Sequence, residues 1–166
     1  MTMKLPAHTE YTYTTSPLGR ICLAAAGARL VGVWFEGQAH LPDLAEYRQA
    51  PDHPVLQLAA SQLAQYFAGQ RTRFELPLDL STGTAFQQTV WQTLLTIDCG
   101  QSCSYKALSA ALGRPAAMRA VGGAVGRNPL SIIVPCHRVV GANGALTGYA
   151  GGLQRKTALL TLEGSL

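Results

Sequence analysis

The sequence predicts an α/β protein in two parts. A small N-terminal α/β domain has an antiparallel sheet and a helix, and a mainly helical C-terminal domain contains a winged-helix-like helix-turn-helix. Three observations support this fold class: β-rich segments alternate with turns up to residue 36, helical periodicity begins at Thr84, and a glycine turn joins two short helices after residue 104. Residues 81–84 are the expected linker between domains 1–80 and 85–166.

The N-terminal domain begins with strand signals. Residues 10–14, 20–26 and 30–36 are β-rich and separated by short turns, which predicts an antiparallel meander. Residues 37–52 are polar and predict a loop or a short helix.

One helix and one further strand complete this domain. Pro54 opens the helix, apolar residues recur at helical spacing as far as Phe67, and Gly69 occupies the place of a C-terminal cap. Apolar and polar residues alternate over residues 74–80, which predicts a half-buried strand. Pro77 puts this strand at a sheet edge, because proline cannot donate a hydrogen bond to a neighbouring strand.

The C-terminal domain begins with a capped helix. Thr84 and Gln87 fit a capping box, and the predicted buried stripe is Phe86, Val90, Leu94 and Ile97.

Two short helices follow and predict the helix-turn-helix. Ser104 is expected to cap a helix over residues 105–112 that stops at Gly113. Pro115 suits the first position of the next helix, residues 115–125.

That second helix has an almost bare outer face. Helical spacing predicts that Met118, Val121, Gly122 and Val125 pack inward and that Ala116, Arg119, Ala120 and Gly123 face outward. Small residues allow close approach to another surface, and one long arginine projects from them. Close insertion into a DNA groove fits this pattern, and a core helix packed against a neighbour is the alternative.

Cys136 and His137 stand side by side in an aliphatic run and are the strongest chemical signal. A thiol attacks as thiolate, and an adjacent imidazole or the guanidinium of Arg138 is expected to lower its pKa. Pro135 predicts a sheet edge or a strand end here. The alternative is that Cys136 is a small buried hydrophobic residue.

The residues after this motif supply a loop and a partner. Five glycines fall within residues 141–152, which predicts a loop close to a ligand with Tyr149 as its stacking ring. A last helix is expected over residues 153–162, and Glu163 continues its apolar stripe. A buried carboxylate requires a partner, and His137 is the candidate, although Glu163 could instead fray into solvent.

Composition and charge limit the function classes. The 166 residues, 48% of them hydrophobic, suffice for a core without disulfides. No apolar stretch is long enough to span a membrane and no signal peptide is recognisable, so we expect a cytoplasmic protein whose four cysteines are reduced thiols. Residues 85–166 contain seven Lys or Arg and two Asp or Glu, which indicates a polyanionic partner, nucleic acid before membrane. Cys99 and Cys103 could form half a zinc site, but no second pair follows and no metal is expected.

The residues from Thr84 to Glu163 resemble the alkylguanine-DNA alkyltransferases, also called methylated-DNA-protein-cysteine methyltransferases. The segment Pro135-Cys136-His137-Arg138-Val139 is similar to the active-site signature of that family. The other matching blocks are Phe86-Gln87-Gln88-Thr89-Val90-Trp91, Ser104-Tyr105-x-x-Leu108, Arg119-Ala120-Val121-Gly122, Asn128-Pro129, Gly148-Tyr149-Ala150-Gly151-Gly152 and Leu159-Leu160-x-x-Glu163.

The resemblance implies direct-reversal DNA repair. The protein would bind double-stranded DNA in the minor groove as a monomer, flip out an alkylated guanine, with alkylated thymine as a further candidate, and move the alkyl group irreversibly from the exocyclic oxygen to Cys136. No cofactor is implied. The reaction would occur once per molecule.

The resemblance also implies residue roles. Cys136 would attack, His137 would take the thiol proton, Glu163 would orient the imidazole, and Tyr105 would donate a proton toward the guanine ring and touch DNA. Arg119 would replace the flipped base, with Ala120 and Gly123 against the DNA. The hinge and base pocket would be formed by Asn128, Val139, Tyr149 and Ala150, the last through its backbone N–H, since some relatives have serine there.

Three rival functions remain open from sequence. A non-reactive recogniser of alkylated DNA with the same fold would lack the nucleophile, which this chain has. A helix-turn-helix transcription regulator would need several polar base-reading residues on its recognition helix. A cysteine hydrolase would need direct contact between Cys136 and His137, but neighbours on a strand point to opposite faces.

Overall fold

The computed structural model describes residues 3–166 and divides into two compact units. One unit ends at Thr82 and the other spans Gly83–Leu166. The first contains an antiparallel sheet with a helix and the second is mainly helical, so the predicted fold class is confirmed.

The first unit is built on a four-stranded sheet. Its strands are β1 (Thr9–Thr14), β2 (Ile21–Ala26), β3 (Arg29–Phe35) and β4 (Arg48–Gln49), in the order β3-β2-β1-β4. Antiparallel pairing of β1 with β2 and of β2 with β3 confirms the meander. The two residues of β4 pair parallel to β1, so the stretch predicted as a loop or a short helix contains a short strand.

The helix of this unit has the predicted bounds, but the strand after it is absent. α1 (Pro54–Phe67) packs on β2 and β3, and the His53 side chain caps it by accepting from the Val55 N–H at 3.1 Å. Among the described residues, the only strand pairing over residues 74–80 is a single bridge between Leu30 and Leu78. The strand prediction is therefore wrong, and the physical reason lies in Pro77, which accepts a hydrogen bond at its carbonyl but has no N–H to extend the ladder.

The second unit begins with α2 (Ala85–Leu94) and its predicted capping box of Thr84 and Gln87. The indole N–H of Trp91 donates to the Ala124 carbonyl at 2.8 Å and ties α2 to the helix that carries Ala124. Val90 and Leu94 are buried as expected. Ile97 lies beyond the end of the helix, so the predicted stripe is one turn too long.

The helix-turn-helix is formed by α3 (Tyr105–Ala111), capped by Ser104, and α4 (Met118–Gly126). α4 begins three residues after Pro115, because the Ala117 N–H bonds to the Arg114 carbonyl and closes a separate turn first. As a result Met118 starts the helix at its free end and is 44% exposed, so the prediction that it packs inward is wrong. Val121 and Val125 are buried as predicted.

The remaining elements bring the segment that contains Cys136 and His137 beside α3. β5 (Cys103–Ser104) pairs in parallel with β6 (Val139–Val140), and the chain ends in α5 (Leu153–Leu162) with the predicted bounds. Within the described part of the chain, none of the helices has the length and apolar character needed to cross a bilayer.

Candidate active site

Cys136 lies on a single 3-10 turn, Cys136–Arg138, directly before β6. The turn replaces the strand geometry that would have sent the thiol and the imidazole to opposite faces. Cys136 is 6% exposed and lines a cavity of about 130 Å³. The other residues lining this cavity are Tyr105, Gly122, Val125, Gly126, Gly148, Tyr149 and Ala150.

Asn128 fixes the segment that leads to the cysteine. Its side-chain Oδ1 accepts from the Leu130 N–H at 2.9 Å, and its Nδ2 donates to the Val134 carbonyl at 2.7 Å. Between these two contacts Ile132 has a φ of 73°, a left-handed conformation that a β-branched residue rarely adopts. Buried Asn128 therefore holds a strained approach to Cys136 in place, which suits the predicted hinge position.

The Cys136 thiol is protonated in this environment. Burial raises its pKa to about 11, against the opposing effects of a hydrogen bond from Asn128 and the charge of Lys156. The lowered pKa expected from the neighbouring residues in sequence is thus not found. The physical reason is the orientation of the two side chains that follow Cys136: the imidazole and the guanidinium both bond to a carboxylate and not to the thiol.

That carboxylate is Glu163, the cap residue at the end of α5, whose side chain is only 1% exposed. His137 Nε2 lies 2.8 Å from Glu163 Oε2. The Arg138 guanidinium donates to both carboxylate oxygens, from Nε at 2.8 Å and from Nη2 at 2.9 Å, and its Nη1 donates to the Ile97 carbonyl at 2.5 Å. The structure therefore brings His137 and Glu163 together and adds Arg138 as a bidentate partner that favours the ionised carboxylate.

The contact with Glu163 fixes the protonation pattern of His137. An ionised carboxylate only accepts, so Nε2 carries the hydrogen and Nδ1 keeps its lone pair. Among residues 3–166, no protein group hydrogen-bonds to Nδ1. Burial is the main cause that lowers the pKa of His137, with Glu163 acting in the opposite direction. The ring is therefore a neutral base whose accepting nitrogen is available.

Two tyrosines line the cavity beside the thiol. Burial raises the pKa of Tyr105, with the nearby Cys136 adding to the effect, and burial likewise raises the pKa of Tyr149 well above its ordinary value. Both phenols therefore keep their protons at neutral pH, and their hydroxyls can donate hydrogen bonds. Ala150 also lines the cavity, whereas Val139 is fully buried outside it and presents its carbonyl to Lys156.

The outer face of α4 adjoins this cavity. Arg119, Ala120 and Gly123 are all exposed, as the helical spacing predicted, and a Cβ atom added at Gly123 would meet no heavy atom within 4 Å. Gly122 and Gly126, on the neighbouring stripe of the same helix, line the cavity itself. A smooth surface with one long cation thus borders the opening toward Cys136.

Two residues of the site escaped the sequence predictions. The sequence predicts that Arg138 acts on the thiol, but its guanidinium holds Glu163, and the sequence predicts no role for Lys156, whose side chain is fully buried. A signal for Lys156 existed, because it precedes Leu159 and Leu160 on the stripe that Glu163 continues. Among residues 3–166 no group of three or more His, Cys, Asp or Glu side chains could hold a metal ion.

Comparison with known proteins gives one family for both units. A family model described as "6-O-methylguanine DNA methyltransferase, DNA binding domain" matches residues 85–165, and one described as "6-O-methylguanine DNA methyltransferase, ribonuclease-like domain" matches residues 10–80.

Individual relatives agree over nearly the whole chain. A methylated-DNA--protein-cysteine methyltransferase of Mycobacterium tuberculosis is 48% identical over 156 residues, covering 94% of this chain and 93% of that protein. A constitutive one of Bacillus subtilis is 47% identical over 157 residues, covering 92% and 94%. The crystal structure of Mycobacterium tuberculosis OGT in complex with DNA has a TM-score of 0.86 at 46% identity, covering 95% of this chain and 93% of that one.

Proposed function

Since the chain belongs to the 6-O-methylguanine DNA methyltransferase family, we propose that it binds DNA and repairs it by direct reversal, accepting the alkyl group of O6-alkylguanine on Cys136. The observation that carries this proposal is the position of Cys136, which lies on the turn that holds His137 against Glu163 and faces a cavity lined by Tyr105, Tyr149 and Ala150. The rival classes are not favoured, because relatives of this similarity are cysteine methyltransferases.

Proton removal from Cys136 is the first step. A thiol whose pKa is raised to about 11 is almost entirely protonated at neutral pH, so a base must act as the substrate binds. His137 is that base: its Nδ1 takes the thiol proton through a bridging water molecule, and the resulting imidazolium is stabilised by Glu163, which accepts from Nε2. Arg138 keeps the carboxylate oriented toward the ring.

Alkyl transfer follows as a single displacement. The sulfur of Cys136 forms a bond to the alkyl carbon while the bond from that carbon to the guanine oxygen breaks and its electron pair stays with the guanine. The leaving anion needs a proton, and the hydroxyl of Tyr105 is available to donate toward it, because burial keeps this phenol protonated and its side chain lines the same cavity. The products are intact guanine and a thioether, so each molecule reacts once.

The exposed face of α4 suits contact with the minor groove. Ala120 and Gly123 permit close approach to the DNA, and Arg119 is long enough to fill the space of a flipped nucleotide. A flipped base would reach Cys136 past Gly122, whose missing side chain keeps the cavity beside Tyr105 open.

Intact-mass measurement tests the transfer. After incubation with a duplex that contains O6-methylguanine, the wild-type protein should gain the mass of one methylene, and Cys136→Ala should gain nothing. The proposal fails if the wild type keeps its original mass while the methylguanine persists in the DNA.

Arg119 provides a separate test of base flipping. Arg119→Ala should slow transfer from duplex by about tenfold or more, the equivalent of about 1.4 kcal/mol, with little effect on reaction with free O6-benzylguanine. Exposed Leu58, on α1, gives the control variant Leu58→Ala, which should slow neither reaction. Equal losses on both substrates in Arg119→Ala would contradict the flipping role.

A further inference from the structure

Lys156 is fully buried, and its amino group binds backbone carbonyls. It lies on α5 at 0% relative exposure, and its Nζ atom donates to three backbone carbonyls: Val139 at 2.6 Å, Thr147 at 3.1 Å and Gly148 at 3.2 Å. An ammonium group has three N–H donors, so these contacts use all of them. Within residues 3–166, no carboxylate forms an ion pair with this ammonium.

Such a site is costly for a cation. Removing an ammonium from water carries a penalty of several kcal/mol, and neutral carbonyls compensate for it less completely than a carboxylate would. A methionine of similar length would fill the same space without that penalty. The charge and the three hydrogen bonds of Lys156 are therefore better explained by the site they face than by packing.

The three carbonyls join two segments that must stay together around the substrate. Val139 begins β6, immediately after the turn that carries Cys136. Thr147 and Gly148 belong to the glycine-rich loop, and Gly148 lines the cavity together with the next residues, Tyr149 and Ala150. Lys156 thus links the segment that carries Cys136 to the glycine-rich loop that also lines the cavity.

The ammonium also acts on the thiol through its charge. The ionisable groups that face Cys136 are Tyr105 from α3, Tyr149 from the loop, Lys156 from α5 and His137 from the same turn. The two phenols are neutral and His137 is a neutral base, so Lys156 is the cation among them. Its charge opposes the effect of burial on the pKa of Cys136.

We propose that Lys156 is a positioning residue that clamps the glycine-rich loop onto the Cys136 segment and supplies the positive charge that stabilises the developing thiolate. The effect of Lys156 on alkyl transfer rests on the proposed function, but its effect on the thiol can be measured without DNA. Lys156 gives α5 a second part in the site beyond Glu163, which the same helix presents at its end.

The test compares two substitutions of Lys156. Lys156→Met removes the charge and the hydrogen bonds, and Lys156→Gln removes the charge but retains an amide that can donate two of the three hydrogen bonds. The first readout is the pH dependence of Cys136 alkylation by iodoacetamide, followed on the Cys136 peptide by mass spectrometry. The second is the concentration dependence of the reaction with free O6-benzylguanine.

Both variants should shift the midpoint of Cys136 alkylation upward by about one pH unit, because each lacks the cation. Lys156→Met should in addition require a higher benzylguanine concentration for half-maximal rate, and Lys156→Gln should recover part of that loss through its remaining hydrogen bonds. Lys106→Met, at an exposed lysine of α3, removes the same charge from the surface and should leave both readouts unchanged.

The inference is overturned if folded Lys156→Gln alkylates Cys136 with the wild-type midpoint and reacts with benzylguanine at the wild-type rate. A thermal unfolding transition identifies the folded variants, and Lys156→Gln decides the question if Lys156→Met does not fold. Failure of the proposed function is a different result: wild-type protein that accepts no alkyl group from DNA would refute the transfer, while a shifted iodoacetamide midpoint would still assign the charge of Lys156 to the thiol.

Discussion

Each of the two units buries one cysteine, and the two surroundings are different. Cys22 lies on β2, 3% exposed, in an apolar cluster with Leu5, Ala24 and Trp34. Burial raises its pKa to about 12, opposed only by the charge of Arg20. Cys136 is nearly as buried and its pKa is raised to about 11, but an amide, a cation and the backbone of its own turn oppose the effect of burial.

Burial alone therefore does not distinguish a structural cysteine from the proposed nucleophile. Both thiols are protonated at neutral pH, so neither cysteine is a thiolate in the absence of substrate. The difference lies in what surrounds them: Cys136 lines a cavity and is followed in its own turn by a neutral base, whereas Cys22 lies in a mainly apolar cluster. The proposed reactivity of Cys136 therefore requires proton transfer and electrostatic stabilisation of the thiolate when substrate occupies the cavity.

The largest effect is expected from breaking the buried carboxylate. Glu163→Gln leaves Arg138 buried without its counter-charge, and loss of one partner of such a pair costs about 3–5 kcal/mol of the free energy of unfolding. Alkyl transfer by the folded fraction should also fall, because His137 loses the group that orients it. Urea unfolding and intact-mass kinetics measure the two effects.

The matched control is the exposed pair of Arg20 and Glu36 in the first unit, whose side chains are half exposed. Glu36→Gln should cost about 0–1 kcal/mol and leave transfer intact. A loss of stability for Glu163→Gln no greater than for Glu36→Gln would contradict the role assigned to the buried network.

A smaller effect is expected at the other cysteine. Cys22→Ser places a hydroxyl in the apolar cluster and should lower the free energy of unfolding by about 1–3 kcal/mol. The folded variant should transfer the alkyl group at the wild-type rate, since Cys22 lies outside the unit that contains the site. A folded Cys22→Ser protein without transfer would break the distinction between the two cysteines.

The smallest effect is a pH dependence that His137 adds. Its pKa in the folded protein lies below the ordinary value of 6.5, so the folded state binds fewer protons than the unfolded state. This contribution to stability is complete above the unfolded pKa and is lost as the pH falls through the folded pKa. Urea unfolding should show that the free energy of unfolding falls more between pH 7.5 and pH 5.5 in the wild type than in His137→Gln. Equal decreases in the two proteins would contradict the buried neutral imidazole.

Much of this site was predictable because local rules governed it. The capping box of Thr84, the bounds of α5 and the approach of Glu163 to His137 all follow from helical periodicity and from the need of a buried acid for a partner. The bare face of α4 likewise follows from its small residues.

Other features depend on side-chain orientations and tertiary contacts that the sequence does not specify locally. The guanidinium of Arg138 turns toward α5, so its place beside Cys136 in the chain does not predict its partner. Met118 is exposed because an extra turn delays the start of α4. The three acceptors of Lys156 come from two separate segments, which only the folded chain brings together.

The chain has four free cysteines, Cys22, Cys99, Cys103 and Cys136, of which Cys136 is the proposed alkyl acceptor. The protein is digested after reaction with a duplex that contains O6-methylguanine. Mass spectrometry of the four cysteine peptides then shows which cysteine accepts the methyl group. We expect one methyl group, found on the Cys136 peptide alone. Methylation of any other cysteine peptide in its place would contradict that assignment.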